Sequence, residues 1–164
     1  RLYVELGDGP AFGRIREDLQ QMDDLIRSSG GAIVKIVGEG IVAIFTGSRA
    51  ALLAAAKMLQ PENPASLPRR IAFHCGPALV TTLNDRLDYF GETVHLVRNM
   101  LQSAESREFL VSADTLYHDQ LLESLDDLNL AHVLADFTVD ESATLLFRCR
   151  VRENPGTALL ARTP

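Results

Sequence analysis

Cysteine is scarce in this chain: Cys75 and Cys149 are the only two in 164 residues, too few for a disulfide scaffold. Both sit in apolar, strand-like runs, which predicts reduced, buried thiols and a cytosolic setting. Its four histidines, His74, His95, His118 and His132, stand at no metal-ligand spacing with the cysteines, which argues against a zinc site. No apolar run approaches the roughly 18 residues that cross a bilayer. The opening RLYVELGDG is polar and lacks the apolar stretch of a signal peptide. A cytoplasmic location is therefore expected, with no membrane segment. Basic residues number 16 against 22 acidic ones, a net charge of -6, and they are scattered, which leaves no footprint for nucleic acid. Repeats, low-complexity tracts and linkers are missing too. What remains is one domain over residues 1–164 with room for a sizeable core. The start at Arg1 in place of Met suggests an excised piece, and residues 154–164 read as a loose tail.

Periodicity supplies the elements. Residues 1–9 read as a lead-in with a Gly-Asp-Gly turn. Phe12, Ile15, Leu19, Met22, Leu25 and Ile26 recur every three or four positions and predict a helix over 10–28, with Pro10 in its first turn. Two β-branched runs, 32–37 and 41–45, flank Gly38-Glu39-Gly40 and predict a hairpin. Ser48 reads as the N-cap of an alanine-rich helix over 49–59. Residues 61–68 read as a loop, and strands follow at 70–75 and 78–83, with a turn at Asn84-Asp85. The run Asp88-Tyr89-Phe90-Gly91 leads into a helix over 92–104. A strand is expected at 108–111. Ser112 then caps a helix over 113–123. Strands at 132–139 and 145–151 close the fold around a charged turn at Asp140-Glu141. Several strand pairs being hairpins, the pattern is an α/β (α+β) sandwich with a mostly antiparallel sheet.

The unusual stretch is GAIVKIVGEGIVAIF, residues 31–45. A lone carboxylate, Glu39, stands at the hairpin tip between two glycines, and Lys35 interrupts an otherwise apolar strand. Glycines permit close approach of a ligand, and a carboxylate at such a tip can ligate a hard cation. A solvated surface turn is the plainer reading of the same residues. Other residues have plain readings too: His74 packs beside Cys75, His118 and His132 are surface or structural, Asp126-Asp127 is a solvated loop, and the alanines of 50–56 pack in a core or helix interface.

Three landmarks, in order, resemble the class III nucleotidyl cyclase catalytic domain of adenylate and guanylate cyclases. SGGAIVKIVGEG is similar to the family's GG-x-VVKTIGD segment. RIAFHCGP (70–77) is similar to RIGIHTGP, and DYFGETVHLVRN (88–99) is similar to DYFGxTVNxAxR. The resemblance implies a ferredoxin-like core with a mostly antiparallel sheet flanked by helices. It implies Mg²⁺ or Mn²⁺ as cofactor, ATP or a related nucleotide as ligand, and a homodimer or a heterodimer with another cyclase domain. The family reaction joins a ribose 3′-hydroxyl to the α-phosphate and releases pyrophosphate.

Carried over residue by residue, Lys35 matches the adenine-selecting lysine and Asp88 its aspartate partner. Glu39 falls on the second metal aspartate. The first metal aspartate is expected on a strand preceding LYVELGD, outside this sequence. His95 falls on the ribose-orienting asparagine and Asn99 on the transition-state arginine, with Arg98 one helical step of about 100° away. The lysine that holds terminal phosphates has no counterpart in Asp136–Glu141. Losing one such donor costs about 10²–10³ in rate. The resemblance therefore implies a catalytically degraded, dimerising and nucleotide-binding regulatory module in cyclic-nucleotide signalling. The alternative is an active adenylate cyclase converting ATP to cyclic AMP, with His95 and Arg98 substituting. A third reading, an unrelated ferredoxin-like effector domain, requires that Lys35 and Asp88 stay apart.

Overall fold

The computed structural model describes residues 2–60, 66–83 and 85–152. The helices are α1 (Leu2–Leu6), α2 (Asp8–Ser28), α3 (Ser48–Leu59), α4 (Glu92–Ser103), α5 (Ala113–His118) and α6 (Leu122–Asp127). The strands are β1 (Gly31–Val37), β2 (Gly40–Phe45), β3 (Arg70–Phe73), β4 (Leu79–Leu83), β5 (Arg86–Phe90), β6 (Glu108–Ser112), β7 (Leu130–Val139) and β8 (Ser142–Val151). Four strands form one sheet in the order β3-β6-β8-β7, while β1-β2 and β4-β5 form hairpin sheets of their own. Among the described residues only β3 and β6 run parallel; the other pairings are antiparallel. The expected mixed fold with a mostly antiparallel arrangement is thus what forms.

β6 has apolar residues on both sides because both of its faces are covered. Phe109 and Val111 meet α3, α5 and α6 through Leu52, Ala55, Leu116 and Leu125. Leu110 points the other way and packs with Met100 and Ala104 beneath α4. A third cluster joins Ile26 of α2 and Ala54 and Met58 of α3 to the inner residues of the β1-β2 hairpin, Ile33, Ile41, Ala43 and Phe45. Ile71 of β3 reaches this cluster as well. Four of the alanines between Ala50 and Ala56 are buried, which fits their reading as close packing. Arg69 ties these layers together, bonding Asp18 of α2 at 2.6 Å and the Met58 carbonyl of α3.

Several expectations are corrected. The lead-in is a short helix, α1, and only Gly7 (φ 78°) turns the chain, so Asp8 and Gly9 already belong to α2. Gly47, not Ser48, precedes the first turn of α3; Ser48 is helical and its hydroxyl serves Asp119 instead. Asp88, Tyr89 and Phe90, read with Gly91 as a helix lead-in, belong to the strand β5, paired with β4 from Leu79↔Phe90 to Leu83↔Arg86. The helix over 113–123 breaks in two. Gln120 adopts a left-handed φ of 54° and Leu121 N–H donates to the Leu116 carbonyl, a left-handed helix stop that sequence reading missed for want of a glycine. Ser112 does cap α5, accepting from Thr115 N–H. Asp126-Asp127 ends α6 and is not a loop, and Asp126 pairs with Arg152. Cys75 is exposed, because β3 ends at Phe73 and leaves it in the following loop, where its N–H donates to Thr115 Oγ1; Cys149 is buried as expected. His74 bonds Ser112 Oγ at 2.6 Å and does not merely pack beside Cys75. Residues 61–65 of the expected loop, Asn84 of the expected turn and the tail 154–164 lie outside the described residues.

Candidate functional site

Lys35 comes to the site through an irregularity in β1. Ile33 pairs with Ala43, but Lys35 pairs with Val42, so Val34 is the extra residue of a β-bulge. In a regular strand residues 33 and 35 would share a face. Ile33 and Ala43 face the core, so without the bulge the ammonium would point into apolar packing. The bulge turns Lys35 to the opposite face, toward β5. There its Nζ donates to both carboxylate oxygens of Asp88, at 2.8 and 2.7 Å, across 53 residues of sequence. Asp88 also accepts from Tyr89 N–H at 2.8 Å. The Lys35 hydrogen bond first, then that of Tyr89, hold the Asp88 carboxyl below its usual pKa. The side chains keep 38% and 21% of their exposure, so the pair is screened on one side yet open to a ligand. Such a pair offers spare N–H donors beside acceptor oxygens. The reading as an unrelated effector domain required Lys35 and Asp88 to stay apart, and they meet.

Glu39 sits where the hairpin reverses. Val37 pairs with Gly40, leaving Gly38 (φ 59°) and Glu39 as a two-residue turn with glycine in its first position. Its carboxylate is exposed. Among the described residues no group of three or more His, Cys, Asp or Glu side chains converges to hold a metal ion.

The third constellation lies on α4, which leaves β5 through Gly91 (φ 117°). His95 Nε2 lies 2.6 Å from Asp140 Oδ2 in the β7-β8 turn. A carboxylate only accepts, so the hydrogen they share sits on Nε2. Asn99 Nδ2 donates to the His95 carbonyl at 2.9 Å; its 3.1 Å approach to Nε2 then sets two donors side by side and is no hydrogen bond. Asp140 and Glu141 have φ of 46° and 68°, the two left-handed residues of a tight hairpin turn, as the charged turn in the sequence suggested. Arg98 is exposed on α4, three residues beyond His95. His95, Asn99 and Asp140 are thus joined. The partnership of Asp140 with His95 went unread in the sequence, where the two are 45 residues apart.

The architecture matches solved structures over most of its length. An adenylate cyclase from Trypanosoma brucei in its monomeric state aligns with a TM-score of 0.72 at 13% identity, covering 90% of this chain and 83% of that one. The guanylate cyclase domain from Catenaria anguillulae, in complex with GTP, aligns at 0.64 and 12% identity, over 85% of this chain and 82% of that one. An adenylate/guanylate cyclase/hydrolase from Silicibacter pomeroyi aligns at 0.60 and 20% identity, over 85% of each chain. The chain has the nucleotide cyclase catalytic-domain fold. At these identities the likeness is one of fold. No family model matches the chain, and comparison with curated proteins gives no match. No described helix of this cyclase-fold chain is long and apolar enough to cross a membrane.

Proposed function

We propose that this chain is a regulatory cyclase-fold domain that dimerises and binds a purine nucleotide, with its phosphate chemistry largely lost. The Lys35–Asp88 pair carries this reading. It presents adjacent donors and acceptors, the arrangement that reads the edge of a purine, and one of the fold neighbours is a guanylate cyclase domain in complex with GTP. The phosphate side supports the loss. Asn99 is bonded to its own helix backbone, Asp140 brings a carboxylate to His95, and among the described residues no cluster of three or more metal-ligating side chains includes Glu39. Dimerisation is supported by the exposed apolar side chains of β4-β5 (Leu79, Val80, Leu83, Leu87) and of the β1-β2 hairpin (Ile36, Val37). An additional strand from upstream of the described residues belongs to the same reading. β2 and β3 each pair on one side only among the described residues, and Ile71 of β3 already shares a cluster with Ile41 and Ala43 of β2.

Calorimetric titration with purine nucleotides, alongside a cyclic AMP assay with ATP and Mg²⁺ or Mn²⁺, tests the proposal. The expected result is binding that Lys35→Ala abolishes, with cyclic AMP at background. The second reading, an active adenylate cyclase, is favoured by one observation: Asp140 holds the His95 imidazole in a fixed orientation on α4. It requires turnover that Glu39→Ala removes, and vigorous turnover of that kind would overturn the first reading.

A further inference from the structure

The four-stranded sheet ends at β7, a strand of 10 residues that pairs with β8 alone among the described residues. In an antiparallel ladder a residue turns its N–H and C=O to the same neighbour, and successive residues alternate. The two-residue turn Asp140-Glu141 closes on the pair Val139↔Ser142, which in this type of hairpin exchanges both hydrogen bonds. Beyond the other end of β7, Arg152 N–H donates to the Asn129 carbonyl. The pairing between these ends runs without a bulge. Odd-numbered residues of β7 therefore bond β8. Even-numbered ones, His132, Leu134 and Asp136 among them, turn their backbone groups to the free edge.

We propose that this edge pairs with the β7 edge of a second copy of the chain, antiparallel about a two-fold axis at Leu134. Edge strands that stay alone usually carry a lysine, a proline or a bulge. β7 has none of these, and its Val133 and Leu134 are 59% and 44% exposed. The outward backbone groups restrict the register, since an even residue must face an even one. Centring on Leu134 sets His132 opposite Asp136 of the copy, and Asp136 opposite its His132. Among the described residues neither side chain makes an ion pair within its own chain. Both share a face with Leu134, so an imidazole donor meets a carboxylate on each side of the Leu134–Leu134 contact. On the other face Val133 meets Ala135 of the copy. Centring one residue either way sets His132 opposite Leu134 or Thr138 and leaves both polar groups unmatched. The contact is self-complementary and closes on itself. It is separate from the β4-β5 and β1-β2 surfaces and does not rest on the purine site. So short a pairing falls below the standard interface size, which sets a Kd on the order of 100 µM.

Sedimentation of the Leu87→Glu chain, which places a charge in the β4-β5 patch, isolates this contact. It is expected to run as a monomer at roughly 5 µM and as a reversible dimer at about 500 µM. In that background His132→Asp and Asp136→Lys each alter two symmetry-related cross-strand pairs and each weaken the dimer about tenfold. The double variant restores it, which damage to the fold would not do. Register is read by oxidative cross-linking with Cys75→Ser in place. Leu134→Cys yields a disulfide-linked dimer, because directly opposite Cα atoms lie about 5.5 Å apart. Thr138→Cys does not, its symmetry mate being roughly 27 Å away. A Leu87→Glu chain that stays monomeric at about 500 µM overturns the proposal. So does a dimer that the single charge variants leave untouched, a double variant that fails to recover, or cross-linking at 138 as ready as at 134.

Discussion

At the scale of single residues, Lys35 and Asp88 act as one unit. The ammonium meets both carboxylate oxygens, and Tyr89 N–H adds a third bond to Asp88. The pair is open to solvent, and open ion pairs contribute little to stability. Its loss should therefore separate recognition from folding. Asp88→Asn is expected to leave the thermal midpoint almost unmoved while weakening purine binding by about tenfold or more, as expected for the loss of a charged hydrogen bond. Calorimetric titration and thermal denaturation of the same variant check this. A fall in midpoint that accounts for the lost binding would assign the pair a structural role.

At the scale of elements, much of the chain is legible because pattern and packing agree. The α2 stripe, the two β-branched runs and the capping Ser112 each obey a local rule that tertiary structure leaves intact. The failures are places where a local rule is overridden. The Val34 bulge leaves no mark in an apolar run, although it decides which face receives Lys35. β5 escaped because its polar and exposed residues read as a loop until β4 pairs with it. The stop between α5 and α6 escaped because Gln120 takes a conformation that glycine ordinarily marks. Gln120→Gly should therefore raise stability by about 1 kcal/mol, read by urea denaturation, since the left-handed penalty disappears. The hairpin β4-β5 carries a separate consequence. Leu87 is 59% exposed, so Leu87→Glu should leave the fold intact while shifting a dimer to monomer, read by sedimentation. Of the candidate site, the meeting of Lys35 with Asp88 was implied by the family resemblance, whereas the His95–Asp140 bond needed a hairpin turn to be placed in space.

At the scale of the whole molecule, stability should rise with pH through the acid range. Burial lowers the His74 pKa beneath its ordinary 6.5, against the opposing pull of Asp114. A group with a depressed folded pKa leaves the unfolded chain binding more protons, so its contribution is lost as pH falls below 6.5. Glu108 follows lower down. Burial would raise its pKa, but the Glu105 N–H and the Arg148 guanidinium outweigh burial and hold it below 4.5. Thermal midpoints measured from pH 8 to 3 should fall in two stages, one beginning near 6.5 and one below 4.5. Glu108→Gln should shrink the second stage, to which the depressed Asp88 and Asp119 also belong, and leave the first.

The two cysteines differ in a way that can be put to use. Cys75 lies open in the loop after β3, whereas Cys149 is enclosed, and burial followed by the charge of Glu108 pushes its thiol up to about 12. A maleimide fluorophore or spin label should therefore attach at one position per folded molecule without any engineered residue. Placed just ahead of the β4-β5 hairpin, that label becomes a ruler: energy transfer or dipolar coupling between two labelled copies reports how the copies are arranged and whether a ligand moves them.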